Sequence, residues 1–354
     1  MNERHTSEWL YLQIYLSESM DATFDRNLMI GLCDELITPH VREWVGHCRA
    51  QGWMKSFFFL RFGGEGYHLR LRLKGRPDQL HAEAKPFLEG EAAGFFQKHA
   101  AALGLLHAHL SADDLRELRR LRLAQYEPEY EKYGGELGMS LAEEHFEVSS
   151  EVSFQVLEAE RALGIKRSQV AFELLHILIS EFSAKAREQA FILKTYTHYW
   201  VPLSRLERNP PMARLLESNY ERQRDDLFRR FDPDADATLG HSWQTKPHNP
   251  FPRWREHLRE HIGRLKALEA DGRVSTAQFA DGKLQRALLT EVPGIERTPT
   301  VSLLILTNYL HMLCNRLALP PLYEVQMTYL LYRHLEEKFG FKSGLYPVLL
   351  DPGS

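Results

Sequence analysis

Cysteine is scarce. The chain holds three, Cys33, Cys48 and Cys314, with no Cys-x-x-Cys among them, which argues against a disulfide framework or a cysteine-built zinc fold and fits reduced thiols in a cytoplasmic protein. No apolar run reaches membrane-spanning length and no charged-then-apolar leader opens the chain, so no membrane segment is expected. Charge is nearly balanced, at −4 over 354 residues, which argues against direct binding of nucleic acid or of an anionic surface. Histidine is abundant, at 17 residues, but none falls in His-Glu-x-x-His or a comparable ligand spacing, so neither metal nor cofactor is expected. Also missing are Gly-x-Ser-x-Gly, a Walker loop, a dinucleotide fingerprint, internal repeats and low-complexity tracts. These absences leave acid–base chemistry with arginine anchoring as what the residues support.

Of what is present, Met54–Lys74 stands out. An aromatic run ending in Phe62 is followed by Gly63-Gly64-Glu65-Gly66 and then by strict alternation, a β-hairpin signature. Tyr67, Leu69, Leu71 and Leu73 point one way, and His68, Arg70, Arg72 and Lys74 the other. The strand rise sets the basic residues about 6–7 Å apart. Like charges in a row ask for an anionic partner. The competing reading is the solvated face of an edge strand, where lysine and arginine are common.

Around it the chain reads strand (Trp9–Leu16), helix (Leu28–Ile37, capped from Asp21 or Thr23 and broken or kinked by Pro39), then the hairpin. This is an α+β pattern rather than a doubly wound one. A helical pattern over His81–Leu103 has a break at Glu89-Gly90, and the arginines of Ala112–Arg122 read as a solvated helix face or a strand flank. Helices then dominate: Leu141–Val148, Glu151–Leu163, Ser168–Phe182, Arg205–Phe231 from Pro210-Pro211, Trp254–Ala270, Thr300–Leu317, and Leu322–Phe339 after Pro320-Pro321. Phe191–Trp200 suits helix or strand. Residues 232–252 read as a long loop, a candidate lid.

Two further groups carry chemistry. In the constrained loop Gln125–Gly135, Glu129 and Lys132 precede Tyr133-Gly134-Gly135; the bland reading is a surface ion pair. In the last apolar stretch, His311 and Asn315 are four apart and share a helix face with an imidazole able to move protons near neutral pH, beside Arg316. The bland reading of His311 is a hydrogen-bonded core histidine.

Three segments then add up: Phe59-Leu60-Arg61-Phe62 with His68-Leu69-Arg70-Leu71-Arg72, the run Tyr126–Gly135, and His311-Met312-Leu313-Cys314-Asn315-Arg316-Leu317. In this order, over Trp9 to about Leu335, the chain resembles the C-terminal domain family of class I lantibiotic dehydratases, the thiopeptide-type bacteriocin biosynthesis family. The resemblance implies a stand-alone elimination domain. A separate tRNA-dependent protein would glutamylate Ser or Thr of a ribosomal precursor peptide (leader plus core), and this chain would expel the glutamate to leave dehydroalanine or dehydrobutyrine. It implies His311 as general base or acid, Arg70 and Arg72 as a clamp on the leaving carboxylate, and Lys132 as a stabiliser of enolate charge oriented by Glu129. His68, Tyr133, Asn315 and Arg316 would line the substrate. Lys132 stands where elimination members typically carry Arg, and Pro128 reads as thiopeptide-like. A related branch instead joins two dehydroalanines in a formal aza-[4+2] cycloaddition, giving a pyridine with loss of leader, but typically lacks the full His-x-Arg-x-Arg and distal His set that is kept here. A third reading is a non-catalytic leader-binding subunit that takes up peptide on the hairpin edge.

The expectation is therefore an α+β protein, one elimination-type domain over 1–354. It has an antiparallel sheet with helices over 9–135 and a mainly helical part over 136–350. The partners expected are the precursor peptide and a glutamylating protein, with no nucleic acid, no membrane, and room for a homodimer.

Overall fold

Alternating residues build four strands: β1 (Trp9–Ser17), β2 (Ser56–Phe62), β3 (Tyr67–Lys74) and β4 (Leu121–Ala124). In the computed structural model, which describes residues 8–17, 25–64, 66–106, 121–203, 211–231, 249–275 and 301–341, they form one antiparallel sheet in the order β2-β3-β1-β4. The fold is α+β. Chain contacts divide it into two units, residues 1–128 with 143–158, and residues 129–142 with 159–354.

In the first unit one face of the sheet is apolar: Leu10, Leu12, Ile14, Leu16, Leu69, Leu71 and Leu73 are all buried. Strand β3 is hydrogen-bonded on both sides, which corrects the edge-strand reading of the basic row. The edge of the hairpin is β2, and it is covered where Phe59 donates its backbone N–H to Ser150 Oγ at 3.2 Å. Phe57 and Phe59 stack on Phe154 at 5.8 and 5.4 Å. Both partners come from α5 (below), so strand addition at this point is blocked.

Helix α1 (Arg26–Glu35) is capped by Asp25, whose carboxylate accepts from Asn27 and Leu28 N–H at 3.0 Å each. The expected caps Asp21 and Thr23 lie outside the described residues. A wide turn over Leu36–Val41 follows, with Thr38 extended and Pro39 inside it, then α2 (Arg42–Ala50), which buries Trp44 and Val45. Helix α3 (Lys85–Lys98) runs straight through Gly90. The expected break is not there, because Gly90 sits on open surface and a solvent-facing helical glycine costs only about 1 kcal/mol. Helix α4 (Ala100–Leu106) follows. The arginine run before Arg122 is outside the described residues.

Helix α5 (Glu136–Leu163) is one element where two were expected. Ser150 and Ser153 do not interrupt it; their hydroxyls bond back to Phe146 and Ser149 carbonyls at 2.7 Å, one turn earlier. Its residues 143–158 belong to the first unit and its ends to the second.

The second unit is helical: α6 (Arg167–Phe182), α7 (Ala186–Leu203), α8 (Pro211–Arg230), α9 (Phe251–Ala270), α10 (Val301–Arg316) and α11 (Pro321–Lys338). Phe191–Trp200 is thus helix. Helices α7 and α11 pack along each other, with Thr197 and Thr328 hydroxyls 2.7 Å apart. Helix α9 lies on α6, where Trp254 Nε1 donates to the Leu174 carbonyl at 2.9 Å. Most of the proposed lid, 232–248, is outside the described residues. No described helix is long and apolar enough to cross a membrane.

Burial pushes four imidazoles down, His68, His176 and His334 to about 4 and His261 to about 3. Each binds its proton less readily folded than unfolded, where histidine titrates near about 6.5. Stability is therefore fully present above about 6.5 and falls as pH drops toward 4. Thermal melts should show a level Tm above neutrality and a steep fall below pH ~6; a Tm level down to pH ~5 would mean that these rings are solvated.

Candidate functional site

In the first unit the second face of the sheet carries the basic row, and register explains its surroundings. His68 lies between Phe62 and Tyr15, Arg72 between Phe58 and Tyr11, and Lys74 between Ser56 and Trp9. The cations are therefore laid among aromatic rings rather than in open solvent. Arg72 sits over Tyr11, Phe58 and Tyr126 at 4.4, 5.1 and 5.1 Å, and is buried. Lys74 lies over Trp9 at 5.3 Å and donates to Glu143 at 3.1 Å. The same Glu143 accepts from Tyr126 at 3.1 Å.

Arg70 differs. It is half-buried, stacked on Phe62 at 3.3 Å, and no carboxylate among the described residues pairs with it. Its Nε donates to His68 Nε2 at 3.2 Å, while His68 Nδ1 meets the Gly66 carbonyl at 3.1 Å. That arrangement needs a neutral ring donating from Nδ1 and accepting at Nε2, and burial chiefly, with the neighbouring arginines, holds His68 at about 4. His68, only 1% exposed, thus orients Arg70. Arg122 of β4, read from sequence as part of a solvated helix face or a strand flank, joins this face: it lies over Tyr15 at 4.1 Å. Gln13 stands between Arg70 and Arg122 in the ladder, which sets the two Cα positions about 10 Å apart. Two guanidiniums on one rigid strand surface suit an oxyanion such as a carboxylate.

The second unit brings the other residues together. Helix α10 is buried all round except for one stripe, Asn308, His311, Met312 and Asn315, the spacing of a single helix face. At its start, Glu269 accepts from Val301 N–H at 2.6 Å and from the Ser302 hydroxyl at 2.5 Å. At the stripe, Asn308 donates to the Lys132 carbonyl at 3.2 Å, so the loop is pinned one turn before His311. Lys132 and Glu129 form an exposed ion pair there. Tyr133 is buried, its ring 6.1 Å from that of Tyr309, whose hydroxyl is 3.0 Å from His261 Nε2.

The Gly-Gly pair is required by shape. Gly134 and Gly135 have φ of 78° and 94°, open to glycine at little cost, and a Cβ at Gly134 would stand 3.1 and 3.2 Å from Val274 and Val301.

His311 itself faces a group that local sequence did not single out. Its Nδ1 lies 3.2 Å from both carboxylate oxygens of Glu324 on the first turn of α11. Glu324 is almost fully buried, at 1% side-chain exposure, while His311 keeps 30%. Tyr196 of α7 donates its hydroxyl to the same carboxylate. A buried acid holding Nδ1 fixes the ring and directs Nε2 to proton transfer. Of the other expected residues, Asn315 shares the His311 stripe, whereas Arg316 is fully buried. Cys314 is also buried; burial and the Glu324 charge push its thiol well up, which leaves it a poor nucleophile.

A family model for the C-terminal part of lantibiotic biosynthesis dehydratases matches residues 9–335. Three solved structures share the fold. The tRNA-dependent lantibiotic dehydratase MibB from Microbispora sp. 107891 is 18% identical with a TM-score of 0.59, over 96% of this chain but only 29% of its own. TbtD, a pyridine synthase from thiomuracin biosynthesis, is 17% identical with a TM-score of 0.60, over 94% of this chain and 99% of its own. TsrL is 18% identical with a TM-score of 0.58, over 96% and 97%. At these identities the likeness is one of fold. No curated protein sequence matches the chain.

The loop that ends in Tyr133 leans on a glycine of the following helix. A Cβ at Gly138 would stand 1.6 Å from the Tyr133 carbonyl oxygen, while one at Gly90 would meet nothing. Gly90→Ala should therefore stabilise by up to ~1 kcal/mol from helix propensity, and Gly138→Ala should destabilise by about 1–3 kcal/mol and displace the loop. Denaturant titration of the two variants checks this; equal gains would place the loop elsewhere.

Proposed function

We propose, because the chain belongs to the lantibiotic biosynthesis dehydratase C-terminal family, that it modifies a ribosomal precursor peptide by eliminating glutamate from glutamylated Ser or Thr. The observation that carries the reading is the Glu324–His311 pair on the half-exposed stripe of α10. In the reaction, Nε2 of His311 takes the Cα proton of the modified residue. The electron pair left behind forms the Cα=Cβ bond, and the Cβ–O bond breaks so that glutamate departs as a carboxylate. Glu324 stabilises the imidazolium that forms. Charge building on the peptide carbonyl is met by Lys132, which Glu129 orients. On the first unit, Arg70, set by His68, is the group suited to a free carboxylate, with Arg72 and Arg122 adding positive potential. Tyr133 and Asn315 shape the substrate surface. Glutamylation is assigned to a tRNA-dependent partner protein, in keeping with the fold shared with the tRNA-dependent dehydratase MibB.

A second reading has two specific supports. The chain spans 99% of a pyridine synthase, and Lys132 replaces the arginine typical of elimination members. There the same His311 moves protons while two dehydroalanines condense and the leader leaves.

Incubation with a synthetic glutamylated peptide should release glutamate with the matching mass loss and a dehydroalanine or dehydrobutyrine product. Consumption of a bis-dehydroalanine peptide with leader release, and none of the glutamylated one, establishes the second reading instead. His311→Ala should cost about 10²–10⁴-fold in kcat, and Glu324→Gln, which keeps shape but loses charge, about 10–100-fold. Arg70→Lys should lower kcat/KM by about 10-fold, because a point charge replaces a planar fork. Full turnover by a variant carrying Ala at His311, Arg70 and Arg72 together would reduce the chain to a peptide-binding subunit.

A further inference from the structure

Away from the basic face, the first unit brings together three side chains from distant parts of the sequence. Glu35 is the last residue of α1, His40 lies in the wide turn after it, and His99 caps the C-terminus of α3. One ligand atom of each lies within 4.8 Å of the others, and all three side chains are half-buried. Local structure produces the meeting. Thr38 is extended inside a turn that is otherwise helical, and Pro39 follows it, so the chain is redirected between Glu35 and His40. His99 is the first residue beyond α3, its N–H still bonded to the Phe95 carbonyl at 3.0 Å.

Two independent features point to a ligand. The Nε2 atoms of His40 and His99 are buried and have no hydrogen-bond partner among the described residues, an arrangement that costs free energy unless something is bound. The rings are also held from outside. His99 packs on Phe95 at 4.5 Å, and His40 meets the edge of Phe95 at 5.3 Å and Trp44 at 6.1 Å. Glu91 is occupied by Trp44 Nε1 at 3.0 Å, and Glu35 is the carboxylate whose oxygen lies with the two imidazoles.

We propose that Glu35, His40 and His99 bind one divalent transition-metal ion of the Zn²⁺ class, with water as the fourth ligand. Two imidazoles and a carboxylate are a borderline donor set suited to Zn²⁺ or Co²⁺ and poorly suited to Ca²⁺ or Mg²⁺, which take oxygen shells. Zn–N bonds of about 2.0–2.1 Å put tetrahedral ligand atoms about 3.3 Å apart, so the group draws in from its present spacing of up to 4.8 Å when the ion binds. Lys98 Nζ, 4.0 Å from Glu35 Oε1 on a side chain that is 59% exposed, swings out to solvent when the ion enters. The ion joins the end of α1, the turn and the end of α3, so it is a structural tie. The ligand spacing shows no short motif, which is why the sequence carries no sign of it.

The test uses the full chain stripped with a chelator. Zn²⁺ is titrated against a chromophoric chelator, and Co²⁺ is followed by its visible ligand-field absorption. One equivalent should bind and Tm should rise. His99→Gln and His40→Gln should each weaken binding by at least ~10-fold, and the double variant should lose the tetrahedral Co²⁺ spectrum. Lys98→Gln, remote from the core, should bind several-fold tighter because a positive charge is removed. An unchanged stoichiometry, affinity and Co²⁺ spectrum in the double variant, or an unchanged affinity in Lys98→Gln, would overturn the site.

Discussion

A carboxylate with almost no exposed surface must be satisfied from within, and Glu324 sets that demand at the heart of the second unit. Leaving such a charge without partners costs several kcal/mol. Tyr196 reaches it from α7 and His311 from α10, while Glu324 itself lies in the first turn of α11. Three helices are thereby tied to one side chain. The start of a helix is also where a negative charge is best tolerated, because the unpaired N–H groups of the first turn point toward it. The requirement for charge balance and the requirement for a fixed imidazole are met by the same contacts, so the acid that stabilises the helix packing is also the one that orients the His311 ring.

The first unit solves a related problem differently. Four basic residues on one strand would repel each other in open solvent. Here each has ring faces or a hydrogen-bond acceptor beside it: Phe62 and His68 for Arg70, three rings for Arg72, Trp9 and Glu143 for Lys74. A cation on an aromatic face gains about 0.5–2 kcal/mol, and Arg70 does so without a carboxylate partner among the described residues. Arg70 thereby retains its pull on an anion, which a closed salt bridge would remove.

Much of the fold was legible because it rests on short-range pattern. The alternation of Leu69, Leu71 and Leu73, the spacing within α10 and the Pro320-Pro321 stop all appear where periodicity put them. The pairing of β3 on both sides was not legible, since its second partner is β1, which lies far back in the chain beyond two helices. For the site, Arg70, Lys132, Tyr133 and His311 stood out by local chemistry. Glu324 did not: in Pro-Pro-Leu-Tyr-Glu it looks like any acid at a helix start, and its burial comes from helices distant in sequence. His68 was read as facing substrate, yet its role follows from a hydrogen bond to the residue two places on. Glycine misled in one place and informed in another. Gly90 suggested a break that open surface made unnecessary, while Gly134 and Gly135 marked a turn that no other residue fits.

The bond from Phe59 N–H to Ser150 has a consequence beyond packing. A hairpin this rich in phenylalanine is, by composition, the segment of the chain most able to recruit a copy of itself. Its outer rim is occupied by a serine hydroxyl and its rings by Phe146 and Phe154. The hazard of aggregation is thereby moved from the native protein to the nascent one. It lasts from the time the hairpin is made until residues 143–158 have been synthesised and have closed over it.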